Sequence, residues 1–218
     1  MGVIAFVRQT PSGAILVAQL VGILAYPFME QTAVGRAAFA ILGITVLSLV
    51  VLVVRITPFL SWVSVLIAAP AMVLLVIQVF TASEQLFAWS SAFEAVLYFY
   101  AAFSMTAYML ADTTVGRDEL FAIGTVFTFF AWAFAYVFVV LNAVDPLAFT
   151  APTGDDVHSW MDMLFMSFTT LTGTGMTEVL PVSGQAKSVI MIEQVVGLFY
   201  VAMVVTRLIG LQAARKRV

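Results

Sequence analysis

Residues 167 to 182, SFTTLTGTGMTEVLPV, bring the hydroxyls of Thr169, Thr170, Thr172 and Thr174 together with Gly173, Gly175 and the carboxylate of Glu178. Hydroxyl and backbone carbonyl oxygens are neutral acceptors that can replace the hydration shell of a cation. Glycine lets the backbone turn through left-handed conformations that other residues resist, so such a stretch can aim its carbonyls. Nothing else in the chain offers comparable chemistry. It has one His and no Cys, and no spaced pair of Asp lies within an apolar segment. A thiolate metal site, a nucleophile with its base and a paired-aspartate hydrolase site are thereby excluded, so no enzyme activity and no cofactor are expected.

The elements that carry this stretch are set by composition. Of 218 residues, 63% are hydrophobic and 10% charged, and the mean hydropathy is +1.09. A soluble domain of this length cannot cover so much apolar side chain with so little polar surface. Several windows are long and apolar enough to cross a bilayer as helices. The reading is an integral membrane protein in contact with lipid. Nucleic acid is excluded as a partner, because no basic patch exists before the last few residues.

Six spans are expected, at about 13–29, 37–56, 59–80, 88–111, 119–142 and 187–210, separated where polar or turn-forming residues cluster. Pro58 marks a tight hairpin between the second and third, and Pro70 should kink the third. With the N-terminus in the cytoplasm, Arg8, Arg55, Arg117, Arg207, Arg215, Lys216 and Arg217 fall at inner ends, leaving Arg36 and Lys187 outside. That asymmetry predicts cytoplasmic termini, with the first span an uncleaved helix rather than a signal peptide.

The segment 157–170, VHSWMDMLFMSFTT, is too short to span but long enough for a helix that dips halfway. Asp155 and Asp156 are its candidate N-caps, and its C-terminal end would carry about half a negative elementary charge into the membrane. The chain must then return through LTGTGMTEVLP without helical hydrogen bonds. Backbone of that kind survives at membrane depth only inside protein or beside a water-filled cavity. The expected fold is therefore an all-α membrane protein of six transmembrane helices, with a re-entrant pore helix and filter loop between helices five and six.

These residues resemble the pore signature of the potassium-channel superfamily, whose filter reads TTxTTVGYGD with a proline nearby. Thr169, Thr170, Leu171 and Thr172 match the lead-in. Gly173, Thr174, Gly175, Met176 and Thr177 match the five filter positions, and Glu178 takes the acidic position. Gly197 falls where inner helices of the family carry a hinge glycine. The resemblance covers about residues 145 to 211 and is one of architecture alone over the first four spans. It implies a four-helix N-terminal domain, 1–115, and a pore domain, 116–218. It also implies a homotetramer that conducts monovalent cations in a bacterial-type cytoplasmic membrane, with Thr172 to Glu178 as the filter. The permeating ions, K+ or Na+, would be coordinated at Thr172, Gly173, Thr174 and Gly175. Val201, Val205 and Ile209, four apart on one helix face, would line the inner vestibule, and Glu193 would support the filter from behind.

The departures from that signature shape the expectation. Gly173 lacks the hydroxyl of the first filter position, Met176 replaces the bracing aromatic residue, and Thr177 replaces the last glycine. The filter is therefore expected to pass sodium and potassium comparably. A potassium-selective channel with an atypical filter, and a non-conducting accessory subunit or transporter that kept the fold, are the alternatives. No Lys or Arg occurs between Arg55 and Arg117, so the first four spans lack voltage-sensing charges. No ligand-binding domain is expected after Val218. Glu94 and Asp112 are the acids of span four. Glu94 is either a functional intramembrane carboxylate or one hydrogen-bonded to a neighbouring helix. His158 is expected to be structural and Arg207 to snorkel to the headgroups. Phe127, Phe129, Phe130, Trp132 and Phe134 are expected to pack against lipid or other helices.

Overall fold

In a computed structural model of the chain, residues 10–29, 33–55, 57, 59–81, 83–111, 117–150 and 158–215 are described. Seven helices account for nearly all of them: α1 (Pro11–Met29), α2 (Ala33–Val54), α3 (Ser61–Thr81), α4 (Glu84–Ala111), α5 (Arg117–Val144), α6 (Trp160–Leu171) and α7 (Gly184–Arg215). No strand forms among the described residues; a single antiparallel bridge joins Phe149 to Pro181. The fold is all-helical, and α1, α3, α4, α5 and α7 are long and apolar enough to cross a membrane. Helix α2 runs for 22 residues, of which the described apolar part, Ala40–Val54, is shorter than a span. Pro70 does not end α3, which continues helical on both sides of it. Pro58 and Asp112 lie outside the described residues.

Helix α5 is the hub, packed against α1, α4, α6 and α7. Its sequence explains why. Ala122, Ala131, Ala133 and Ala135 are fully buried and let neighbouring backbones approach, while Phe129, Trp132, Phe134, Tyr136 and Phe138 fill the space between helices. Between apolar helices in lipid, this close packing and a few hydrogen bonds are what hold the bundle, because no water is excluded by association. The rings of Tyr98 on α4 and Tyr136 on α5 stack at 5.8 Å, and Phe99 meets Phe134 edge-on at 4.9 Å. The aromatic run therefore faces other helices rather than lipid.

Polar contacts between helices set the register. Ser12 at the start of α1 donates to Asp118 through both its amide and its hydroxyl, at 3.0 and 2.9 Å. The Thr125 hydroxyl donates to the Ser12 carbonyl at 2.8 Å, and that of Thr128 to Gln19 at 2.7 Å. At the same end of α5, Glu119 pairs with Arg207 near the far end of α7. The first turn of α1, the first turn of α5 and the last turns of α7 thus lie on one side of the bundle.

Candidate functional site

Helix α6 is a 12-residue half-length helix that starts at Trp160, slightly later than expected. Its cap is Ser159. The Ser159 hydroxyl accepts from the Asp162 amide at 3.2 Å, and Asp162 accepts from the Ser159 amide at 2.8 Å, a reciprocal capping box. This replaces the expected caps Asp155 and Asp156, which lie outside the described residues. Trp160 anchors the helix start, 5.1 Å from the Tyr26 ring, 5.2 Å from Trp132 and 6.0 Å from Tyr136. Behind this cluster the Tyr136 hydroxyl hydrogen-bonds Glu94, so that carboxylate has a partner on the adjacent helix.

From Leu171 the chain leaves the helix and returns without regular structure to Gly184. Gly173 and Gly175 both adopt positive φ, 73° and 63°, at alternate positions. A Cβ at either would meet nothing within 4 Å, so glycine is needed there for backbone freedom and not for space. The amides of this loop are largely occupied from within. Those of Thr172 and Gly173 bond Phe168 and Thr170 carbonyls, that of Gly175 bonds the Thr169 carbonyl at 3.0 Å, and that of Thr177 bonds Gly175. The Thr172 and Thr174 hydroxyls lie 3.1 Å apart, and each also reaches a carbonyl at the end of α6. Among the described residues no hydrogen bond is made to the carbonyls of Thr172, Gly173, Thr174 or Met176. Thr172 to Met176 are all exposed. The loop therefore presents four carbonyls without partners, while its amides are engaged at Thr172, Gly173, Gly175 and Thr177 and left without a partner among the described residues at Thr174 and Met176. At the C-terminal end of a helix this adds to the negative end of the dipole.

The outgoing segment is clamped. The Thr150 amide donates to the Leu180 carbonyl at 2.8 Å, the Thr150 hydroxyl accepts from the Leu180 amide at 3.0 Å, and Val182 donates to Ala148 at 2.8 Å. His158 closes the same corner, its Nε2–H donating to the Thr150 carbonyl at 2.6 Å. That contact gives His158 the structural place expected of it. Glu178 is exposed, with its carbonyl taken by Thr150 and its side chain unpaired among the described residues. Met176 is 74% exposed and braces nothing.

Helix α7 meets α6 along a narrow stripe. Glu193 is fully buried and in hydrogen-bond contact with Ser167, whose hydroxyl also lies 2.8 Å from the Ala131 carbonyl of α5. One turn further along both helices, Gly197 passes directly over the Leu171 carbonyl, where any Cβ would collide with backbone. Gly197 is thus the notch that seats the end of α6; α7 is continuous helix through it. Tyr200, almost one turn on, donates to the Ile123 carbonyl at 2.6 Å. Val201, Val205 and Ile209 all lie on the exposed side of α7.

Arg207 departs from the snorkelling expectation. Its guanidinium turns inward to Glu119 and binds it through both Nε, at 2.9 Å, and Nη2. A carboxylate was available one helix away, and pairing two nearly buried charges costs less than leaving Glu119 alone in an apolar setting. The sequence carried no period linking positions 88 residues apart. Ser167, Thr150 and the Ala131 carbonyl were likewise missed as supports of the loop. A serine inside an apolar half-helix was the available signal for the first.

No protein-family model, curated protein or solved structure matches the chain.

Proposed function

We propose that the chain is one protomer of a tetrameric pore that conducts monovalent cations and discriminates weakly between K+ and Na+. The observation that carries this reading is the run of carbonyls at Thr172, Gly173, Thr174 and Met176, exposed and without hydrogen-bond partners among the described residues, between two glycines of positive φ. A cation can replace those missing partners. One loop supplies one wall of a coordination ring, and rotational symmetry supplies the rest. In this reading α2 is the sixth span, α6 and the loop are re-entrant, and both termini face the cytoplasm of a bacterial-type cytoplasmic membrane.

The exposed side of α7 supports assembly. Its apolar window is only 17% buried in the protomer, and Gln194 lies on that exposed side. An amide near the middle of a span is poorly accommodated by hydrocarbon and well accommodated at a subunit interface or beside water. The weak selectivity rests on Gly173, Met176 and Thr177, which leave fewer braced oxygen rings than the filter they resemble.

Purified protein in liposomes should run as a tetramer and pass both Na+ and K+ tracer. The bi-ionic reversal potential should lie near zero. A tetramer without flux would establish the accessory-subunit reading instead, and a reversal at the potassium equilibrium value would overturn the weak selectivity.

A further inference from the structure

The Ser167 hydroxyl holds a single proton and faces two oxygens, the Ala131 carbonyl at 2.8 Å and Glu193 Oε1. The carbonyl can only accept. If Glu193 is ionised it can only accept as well, and one of the two contacts then has no hydrogen between its oxygens. Both are satisfied when the carboxyl supplies a proton to Ser167, which passes its own to Ala131. The other carboxyl oxygen, Oε2, is buried without a partner among the described residues. As the carbonyl oxygen of a neutral acid it costs far less there than as half of a charge.

Among the described residues the surroundings offer nothing to balance an ionised Glu193. The described titratable side chains on the helices packed against it have other partners: Asp162 bonds Ser159, Asp118 bonds Ser12, Glu119 pairs with Arg207, and Tyr136 bonds Glu94. On α7 itself Tyr200 donates to Ile123, Arg207 is at Glu119, and Lys187 is exposed near the opposite end. Among the described residues no cation reaches the carboxyl.

We propose that Glu193 is a neutral carboxylic acid that donates to Ser167, closing a chain from α7 through α6 to the Ala131 carbonyl of α5. It is a positioning residue. Ser167 stands one turn before Leu171, and Glu193 one turn before Gly197, so the acid fixes the register that seats the end of α6 in the α7 notch. The loop that starts at Thr172 inherits its placement from that seat. The consequence for ion passage rests on the function proposed above; the protonation state does not.

Glu193→Gln tests both parts, because the amide donates like the acid and does not titrate. The infrared difference between the wild type and E193Q at neutral pH should contain the carbonyl stretch of a protonated carboxyl. E193Q should fold and melt close to the wild type, and E193A should melt clearly lower. A neutral donor contributes stability that is present at low pH and lost as the solution becomes alkaline. On raising the pH into the alkaline range, the melting temperature of the wild type should therefore fall toward that of E193A, while that of E193Q stays flat. A carboxylate band in place of the acid band, or an E193Q protein that fails to fold or melts like E193A, overturns the proposal. If the wild type passes no ions, the infrared and melting results still decide the protonation state, and the pore reading fails separately.

Discussion

Helices α5 and α7 are alike as sequences and opposite as packing units. Their apolar windows have mean hydropathies of 2.0 and 2.1, yet 72% of the first is buried in the protomer and 17% of the second. Hydropathy reports the solvent a helix tolerates, and in lipid that solvent is as apolar as a neighbouring helix. What separates the two is the arrangement of size. Helix α5 sets alanines between large rings around its whole circumference, so other helices fit against every side. Helix α7 concentrates its fitted positions on the stripe Ala186, Glu193, Gly197 and Tyr200 and sends Leu198, Phe199, Val201 and Val205 outward.

The comparison breaks most sharply at the stripe. Gly197→Leu places a side chain on the Leu171 backbone, which cannot move aside without lifting α6. The expected loss exceeds about 3 kcal/mol, above the usual cost of overpacking because backbone is what it meets. Thermal melting in detergent together with the yield of assembled protein measures it, and a normal melt would mean α7 does not seat α6 as described.

A paired substitution contrasts the helices directly. Phe129→Ala empties a fully buried position on α5 and should destabilise the protomer by about 3 kcal/mol through the cavity it leaves. Leu198→Ala removes a 72% exposed side chain on α7. It should leave protomer melting unchanged and instead weaken assembly, read as oligomer dissociation on dilution. Equal effects of the two on melting would erase the distinction drawn here.

Arg207→Ala tests the anchor at the C-terminal end of α7. It strands a nearly buried Glu119, and the expected cost is about 2 kcal/mol, below that of a wholly enclosed pair because both groups keep some solvent contact. Adding Glu119→Gln should restore much of the loss. If the double variant melts no higher than the single one, the pair is not the anchor.

The smallest expected effect is at Glu178, whose side chain is exposed and unpaired among the described residues. Glu178→Gln should not change melting. On the pore reading proposed above, it should lower cation flux at low ionic strength and leave it nearly unchanged at high salt, as for a screened surface charge. A salt-independent loss would place Glu178 inside the pathway rather than at its mouth.

Much of this molecule was legible along the chain. Residues 157 to 170 read as a half-length helix, and α6 occupies 160 to 171. Gly175 read as a point of easy backbone inversion and has positive φ; Gly173, which read only as a missing hydroxyl, has positive φ as well. The long apolar segments appear as helices within a few residues of their expected limits. These properties are local: helix length, capping, hydropathy and glycine freedom are fixed by residues within one or two turns of each other. The capping pair was placed too early because Asp155 and Asp156 advertise charge, whereas Ser159 and Asp162 share the spacing that closes a box.

Tertiary structure decided the partners. Nothing in the spacing of Ser167 and Glu193, or of Glu119 and Arg207, says that they meet. Such contacts depend on how each helix is rotated about its axis and how far it slides past its neighbour. Two apolar helices in lipid can be turned through many angles at little cost until shape selects one. Here the selection comes from the alanines of α5 and the notch at Gly197. Together they bring a hydroxyl, a carboxyl and a carbonyl from three helices to one point behind the loop. The sequence by itself determined which segments are long and apolar enough to cross a membrane and where the polar loop interrupts them. Side-chain shape, acting between segments far apart in the chain, determined what holds that loop in place.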